Sequence, residues 1–268
     1  MPTLRIPGPY DFALSSERFR AFGADVVTAS RDGGLHRAIA GREVRLEPAR
    51  GGVRVEPFDA AIEPVARRLL GLEHDVNAFR ASIGDPVLRE LERALRGFRP
   101  MVVPDPFEML VGSIAAQQVS LFAATAIRNR FVERFGERVG TVYAFPRAES
   151  LAAAAPEELT VLGFSRRKAE TVLAVARELP ELAALETLPD EDVRVRVTRV
   201  RGLGEWTADW FLARHLVRPR AWPSGDLALR KAVSAFYGDV DDVRAFGRRF
   251  GPFENLAAHY LLVGLRVR

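Results

Sequence analysis

Residues 200–226 read VRGLGEWTADWFLARHLVRPRAWPSGD, and this stretch decides the fold. Gly202 and Gly204 lie between two segments of helical composition, and two glycines one residue apart let the backbone turn with its N–H groups facing outwards. At the N-terminus of a helix, such a turn binds anions. Trp206 and Trp210, four residues apart, share one face of the following helix, and Asp226 opens the next helix.

Each of these features also has an ordinary structural interpretation. A Gly-x-Gly between helices is more often a plain loop, and the two tryptophans could belong to a packed core. Asp226 could be a first-turn carboxylate that complements the helix dipole. Taken singly, the features leave both interpretations open, and only their combination within 27 residues points to a site.

That combination resembles a known signature. The run LGEWTADW at residues 203–210, followed by PSGDL at 223–227, resembles the helix-hairpin-helix and Gly/Pro-Asp signature of the HhH-GPD superfamily of DNA glycosylases. Within that superfamily, the sequence is similar to the 3-methyladenine DNA glycosylase II family. The resemblance is specific over residues 200–229, firm over 100–264 and loose in the N-terminal part.

The pattern of the chain changes from β to α near residue 75. Turn signals at 32–34 and 50–52 separate extended segments at hairpin spacing, which indicates an antiparallel meander of four strands. Further along, Asp85-Pro86 and Asp105-Pro106 each read as an N-cap followed by the first helical residue. These patterns predict strands first and helices afterwards.

We therefore predict an α+β fold in two parts. Residues 1–74 form an N-terminal α+β domain, which is an antiparallel β-sheet layer with helices. Residues 75–268 form an all-α helix-hairpin-helix glycosylase bundle, in which two helical subdomains would enclose a cleft. The segment 193–197, VRVRV, alternates like a strand, but the hairpin motif requires a helix that ends near Val200. On the strength of the resemblance we predict a helix over residues 190–199.

Composition limits the partners and the chemistry. Lys+Arg number 39 against 35 Asp+Glu, a net charge of +4, so a DNA-binding surface must be a patch rather than the whole protein. The absence of cysteine excludes disulfides, a cysteine nucleophile, cysteine-ligated zinc and an iron–sulfur cluster. We see no signal sequence and no apolar run of about 18 residues, and therefore expect a cytoplasmic protein without membrane contact.

The resemblance implies a DNA-binding surface made of two segments. Gln118 aligns with the residue that fills the space of the extruded nucleotide, although glutamines at a helix end are also simply solvated. In the hairpin, main-chain N–H groups around Gly202, Gly204 and Trp206 would meet phosphate. A monovalent cation, Na⁺ or K⁺, would be held by the backbone carbonyls of Thr198, Val200 and Leu203. The complete set of predicted DNA-binding residues is Gln117, Gln118, Arg201, Gly202, Leu203, Gly204 and Thr207.

The same resemblance implies the chemistry. A glycosylase extrudes the damaged base into a pocket, at a cost of a few kcal/mol. Trp206 and Trp210 would form the pocket wall, since an indole face attracts a positively charged alkylpurine by roughly 0.5 to 2 kcal/mol. Asp226 would be the catalytic residue that stabilises the oxocarbenium-like sugar and guides water to C1′. The acidic residues Glu205 and Asp209 are interpreted as solvated or capping.

One substitution predicts the type of reaction. Bifunctional relatives carry a lysine in the hairpin helix that attacks the sugar and goes on to cut the strand, and Trp206 stands at that position. The only two lysines, Lys168 and Lys231, lie elsewhere. We therefore predict a monofunctional enzyme without a required cofactor.

Three functions stay open at this point. The favoured one is excision of alkylated purines, of the 3-methyladenine and 7-methylguanine type, from double-stranded DNA in base excision repair. The others are a glycosylase of the same fold for oxidised or deaminated bases, and a non-catalytic module that binds damaged DNA. We expect a monomer, because one enzyme must wrap one bent duplex.

Overall fold

The computed structural model describes residues 3–267, except for the side chains of residues 179–183. Its N-terminal layer is an antiparallel sheet of the strands β1 (Thr3–Arg5), β2 (Thr28–Arg31), β3 (Gly34–Ile39), β4 (Arg42–Ala49) and β5 (Gly52–Glu56). The order across the sheet is β1-β5-β4-β3-β2. The predicted four-stranded meander is therefore joined by a further strand, β1, in which Leu4 pairs with Val53.

Helices cover one face of this sheet. The opposite face carries more polar and more exposed side chains. Leu46 pairs with Leu35 on one side and Val55 on the other, and all three are fully buried. Helix α2 (Glu63–Leu69) packs on this apolar face. Helix α1 (Phe12–Ser16) lies between β1 and β2, and it begins where the Asp11 carboxylate accepts the Leu14 N–H at 2.8 Å and caps it.

The helices that follow are α3 (Val76–Ser82), α4 (Pro86–Ala94), α5 (Pro106–Ala116), α6 (Leu121–Phe135), α7 (Pro156–Thr160), α8 (Arg166–Ala183), α9 (Asp190–Arg199), α10 (Glu205–Arg214), α11 (Leu227–Tyr237), α12 (Val243–Gly247) and α13 (Glu254–Val267). Helix α9 confirms the choice of helix over strand for the alternating segment. Val193 and Val197, four residues apart, are fully buried, whereas Val195 between them is 42% exposed. Only a helix separates alternate residues in this way.

The helices form two hydrophobic cores. The first is built from Val27 and residues 103–221, and it includes α5, α6, α8, α9 and α10. The second combines residues 76–98 with residues 222–265, so that α4 and α11 both pack against α13. The second core is thus formed by two segments that precede and follow, in sequence, the segment that forms most of the first core. Trp210 belongs to the first core and Leu229 to the second, which places the start of α11 where the two cores meet.

The predicted α+β fold, with an antiparallel sheet followed by a helical part, is confirmed, and the helical part contains one short hairpin in addition. Strands β6 (Glu137–Val139) and β7 (Val142–Ala144) form a hairpin with Gly140 in its turn at φ +60°. This hairpin joins the N-terminal layer, where the Thr141 N–H donates to Glu43 Oε2 at 2.8 Å. Three-residue strands are too short to show a period, so the sequence pattern did not reveal them.

Within residues 3–267, no helix is long and apolar enough to span a bilayer.

Candidate active site

Asp226 is the N-cap of α11 and also the centre of the candidate site. Its Oδ1 accepts the backbone N–H groups of Ala228 at 2.9 Å and Leu229 at 3.0 Å, which is the capping arrangement. Its Oδ2 accepts the indole N–H groups of Trp206 at 3.0 Å and Trp210 at 2.9 Å. Four N–H groups therefore fix the orientation of one half-buried carboxylate.

Asp226 therefore caps a helix and is at the same time the candidate catalytic carboxylate, the two roles that the sequence left open. One oxygen caps a helix, and the other is held by two neutral donors. Among the described residues, no cationic side chain lies within ion-pair distance of this carboxylate. The carboxylate is therefore held in place by neutral groups, and a preorganised charge of this kind can stabilise an opposite charge that develops nearby.

The two tryptophans differ from the predicted wall of stacked indoles. Both direct their N–H edges at Asp226, so the pair supports the carboxylate as well as bordering the site. Trp210 is 3% exposed and packs in the first core, whereas Trp206 is half-buried. The guanidinium carbon of Arg214 lies 3.7 Å from the centroid of the Trp210 ring. A base could therefore reach Trp206, while one face of Trp210 is already covered.

The hairpin that joins α9 to α10 has the geometry of an anion-binding turn. Gly202 has φ +95°, and a Cβ there would lie 2.1 Å from Thr171 Oγ1, so this position requires glycine. Gly204 is the N-cap of α10, and a Cβ there would meet open space. Within the described part of the chain, the backbone N–H groups of Gly202, Gly204 and Trp206 have no acceptor, and they remain available to a phosphate.

Other predicted DNA-binding residues of the hairpin occupy different environments. Arg201 is exposed, as a phosphate contact requires. Leu203 is 6% exposed and packs in the first core. Thr207 is 1% exposed, and its N–H donates to the Gly204 carbonyl at 2.9 Å, so the structure does not bring its side chain to the surface. The Thr207 side chain, in the first turn of α10, faces the core because α10 packs against α5 and α9.

The three carbonyls predicted to hold a monovalent cation are not equivalent. The Val200 carbonyl accepts the Leu203 N–H at 3.0 Å. Among residues 3–267, no donor reaches the carbonyls of Thr198 and Leu203, which lie on either side of the turn. Two unpaired carbonyls and one that retains a lone pair are compatible with a hard monovalent cation.

The glutamine pair ends α5 next to the hairpin. Gln117 Nε2 donates to the Gly202 carbonyl at 3.3 Å, which ties this segment to the hairpin. Gln118 is exposed and has φ +57°, a left-handed conformation. Val119, Leu121 and Phe122, which follow, are 40%, 48% and 61% exposed. The segment therefore presents one amide and several apolar side chains to solvent.

Lys168 holds this exposed segment in place. Its ammonium donates to the carbonyls of Ala115 at 3.0 Å and Gln117 at 2.7 Å. Burial lowers the pKa of Lys168. The sequence showed only that Lys168 lies away from the nucleophile's position and did not reveal this role. A lysine capping the last carbonyls of a helix 51 residues away leaves no local pattern.

Asp209 was wrongly interpreted as solvated or capping. It is 1% exposed, and its carboxylate forms ion pairs with Arg194 at 3.0 Å and Arg244 at 3.5 Å. Burial raises the pKa of Asp209. The Arg194 ion pair therefore links α9 to α10, the two helices on either side of the hairpin. Glu205 is exposed and pairs with Arg244 at 3.2 Å.

The comparisons with known proteins agree with this geometry. A family model described as "HhH-GPD superfamily base excision DNA repair protein" matches residues 111–251. A DNA-3-methyladenine glycosylase of Bacillus subtilis is 32% identical over 171 residues, which cover 60% of this chain and 56% of the relative. The chain spans little more than half the length of the first curated relatives that it matches.

Two solved structures are similar as well. A 3-methyladenine DNA glycosylase from Archaeoglobus fulgidus has a TM-score of 0.88 and 28% identity, and the match covers 100% of this chain and 99% of that one. A 3-methyladenine DNA glycosylase of Schizosaccharomyces pombe, in complex with abasic DNA, has a TM-score of 0.60 and 25% identity, covering 70% of this chain and 95% of that one.

Proposed function

The chain belongs to the HhH-GPD superfamily of base excision DNA repair proteins, and we propose that it is a monofunctional DNA glycosylase that releases alkylated purines from double-stranded DNA. The observation that carries this proposal is the Asp226 carboxylate, which is held by two indole N–H groups and left without a cationic partner among the described residues. The names of the relatives support alkylated purines as the substrate class.

The hairpin would hold the DNA strand by its backbone. The free backbone N–H groups of Gly202, Gly204 and Trp206 are suitable phosphate ligands, and so is the exposed guanidinium of Arg201. A Na⁺ or K⁺ ion held by the carbonyls of Thr198, Val200 and Leu203 would add positive charge at the same place. These contacts recognise no base, and the binding they provide should weaken with salt.

The Gln117–Gln118 segment would enter the duplex. Gln118 is exposed beside the hairpin, and Gln117 is tied to the Gly202 carbonyl, so a hairpin seated on the phosphates would bring Gln118 to the base stack. The amide would fill the space of the extruded nucleotide. The extruded base would then meet Trp206, whose half-buried ring borders Asp226.

Asp226 would act while the glycosidic bond opens. The bond between C1′ and the purine nitrogen breaks, and its electron pair leaves with the base. The ionised carboxylate stabilises the positive charge that develops on the sugar and accepts the proton of the water whose oxygen bonds to C1′. The products are a free purine and an abasic site. Alkylation weakens the glycosidic bond beforehand, so modest assistance suffices.

The absence of strand cleavage rests on the positions of the lysines. The ammonium of Lys168 is engaged with the carbonyls of Ala115 and Gln117. Lys231 is exposed on α11, five residues after Asp226, and so faces a different side of that helix. Trp206 takes the place of the nucleophilic lysine.

A base-release assay with a borohydride trap tests the proposal. Duplex DNA methylated with a simple alkylating agent is incubated with the enzyme, free bases are separated by chromatography, and borohydride is added to a parallel sample. We expect free methylpurines and no covalent adduct. Absence of base release from every substrate would indicate a damage-binding module, and release of 8-oxoguanine alone would indicate an enzyme for oxidised bases. A trapped adduct would contradict monofunctional chemistry. A monomeric state and a cytoplasmic location stay predictions.

A further inference from the structure

The first turn of α8 carries three consecutive cations, Arg166, Arg167 and Lys168, and no acidic residue. The N-terminus of a helix bears a partial positive charge, so cations there are unfavourable unless another group offsets them. Two of the three are offset. Arg166 pairs with Glu157 at 3.1 Å and with Glu170 at 3.2 Å, and Lys168 donates to the carbonyls at the end of α5.

Arg167 has no such partner. It is exposed, and within the described residues its side chain forms no hydrogen bond, ion pair or ring contact. An exposed arginine is ordinary on a solvated face, but this one opposes the dipole of its own helix without a compensating contact. Residues that break a local rule in this way are concentrated at functional sites, so its position calls for a partner from outside the chain.

Arg167 lies beside the predicted DNA-binding surface. Thr171, on the same face of α8, packs so closely on the hairpin that a Cβ at Gly202 would lie 2.1 Å from its Oγ1. Lys168, the next residue, donates to the Gln117 carbonyl at 2.7 Å. Helical side chains lean towards the N-terminus, so Arg167 extends past the start of α8, at the edge of the surface that the hairpin and the end of α5 form together.

The fold separates Arg167 from the candidate active site. Asp226 starts α11 where the two hydrophobic cores meet, whereas the buried apolar side chains described for α8 belong to the first core. Helix α5, which carries Gln118 at its end, packs against both α8 and α10. With the hairpin on the damaged strand, Gln118 in the base stack and the extruded nucleotide between the cores, the undamaged strand would lie over the first core. Helix α8 begins on that side.

We propose that Arg167 binds a backbone phosphate of the undamaged strand, close to the base that has lost its partner. This inference rests on the proposed function and adds an anchoring point on the strand that the hairpin does not hold. A guanidinium is always charged and presents several N–H donors, so it suits a phosphate. One contact on each strand restrains rotation of the duplex about the hairpin and keeps Gln118 in register with the base stack.

Binding measurements with neutralised phosphates test this contact. The duplexes contain a tetrahydrofuran analogue of an abasic site, so that binding requires no base release. Neutral methylphosphonates replace phosphates either in the undamaged strand around the unpaired base or in the damaged strand at the lesion. Each replacement should weaken binding of the wild type about fivefold, because each removes a charged contact.

The variant Arg167→Met should lose only the contact with the undamaged strand. Its affinity for the unmodified duplex should fall about fivefold, and the slope of log K against log salt should decrease in magnitude by about 0.9. Methylphosphonates in the undamaged strand should then have no further effect, whereas those in the damaged strand should still weaken binding, as expected when a single pair of groups is coupled. Arg167→Lys keeps the charge and should retain part of the sensitivity.

Two other arginines provide matched comparisons. Arg201→Met, in the hairpin, should reduce the effect of methylphosphonates in the damaged strand and preserve their effect in the undamaged strand. Arg177, exposed further along the same helix as Arg167, lies away from the hairpin, so Arg177→Met should bind all duplexes as the wild type does.

Three results would overturn the proposal. They are a wild type insensitive to methylphosphonates in the undamaged strand, an Arg167→Met variant that remains fully sensitive to them, and a loss of sensitivity to the damaged strand instead. An unchanged Tm establishes that each variant is folded. Because these measurements require no chemistry, failure of the wild type to release any methylpurine would contradict the proposed function and leave the result on strand contact intact.

Discussion

Two aspartates cap helices of the same core in almost the same way, and only one of them is a candidate for catalysis. Asp85 caps α4 through Oδ1, which accepts the N–H groups of Val87 at 3.0 Å and Leu88 at 3.1 Å. Asp226 caps α11 through two equivalent bonds. Both helices pack against α13. The difference lies in the second carboxylate oxygen.

The second oxygen of Asp85 is neutralised. It forms an ion pair with Arg249 at 3.1 Å, and the Tyr237 hydroxyl donates to Oδ1 at 2.8 Å. The second oxygen of Asp226 meets two indole N–H groups, which orient it without cancelling its charge. A capping aspartate is therefore common structural chemistry, and Asp226 is the candidate for catalysis because its second oxygen is held by neutral donors.

The strongest test of this comparison is Asp226→Asn. Asparagine still accepts the capping N–H groups, but it has no charge, and its amide N–H₂ meets two indole donors. We expect single-turnover base release to fall at least about 10²-fold to 10³-fold, the range typical of losing one charge-stabilising group. The duplex affinity should stay within about threefold, because the hairpin contacts are unaffected. Undiminished base release by folded Asp226→Asn would show that Asp226 is only a cap.

The tryptophans sharpen the comparison, because they supply the neutral donors. Trp206→Phe and Trp210→Phe each remove one N–H and keep an aromatic ring. A hydrogen bond to a charged group contributes about 1.5–3 kcal/mol, so each variant should lose about tenfold in the rate of base release. The Trp210→Phe variant retains the ring beneath Arg214. If both single variants keep full activity, the indole N–H groups do not orient the carboxylate.

Lys168 is a positively charged counterpart of these aspartates, because its ammonium caps carbonyl groups at the C-terminus of α5. Lys168→Met leaves the carbonyls of Ala115 and Gln117 without their donor and loosens the segment that carries Gln118. We expect about tenfold weaker binding of damaged duplex DNA, with little change in the rate at saturating enzyme. Lys168→Arg should restore part of the affinity, and Lys231→Met, on the exposed face of α11, serves as the control. Equal affinity of Lys168→Met and wild type would separate Lys168 from DNA binding.

The sequence predicted the parts of this comparison that depend on local pattern. Asp-Pro at 85 and 105 marked the helix starts, and spacing placed Trp206 and Trp210 on one face. Local pattern could not show which charged residues that are far apart in the sequence form ion pairs in the fold. Arg249 is 164 residues from Asp85 along the chain. The helix-start pattern alone does not distinguish Asp85 from Asp226, and only the resemblance of residues 203–227 to a known signature singled out Asp226. The position of Arg214 over Trp210 follows from their four-residue spacing, but the unpaired state of its buried Nε depends on the whole surrounding fold.

The smallest effect on activity is expected for Asp85→Asn, which completes the comparison. The variant keeps the cap and loses the ion pair with Arg249, whose side chain is about half exposed, so screening by solvent limits the loss to about 1–2 kcal/mol of unfolding free energy. For a chain of this size, that corresponds to a fall in Tm of roughly 2–8 °C, measurable by thermal denaturation. The rate of base release should not change. A loss of activity at Asp85 comparable to that at Asp226 would mean that both caps act through the stability of the α13 core, and the neutral donors at Asp226 would then have no special role.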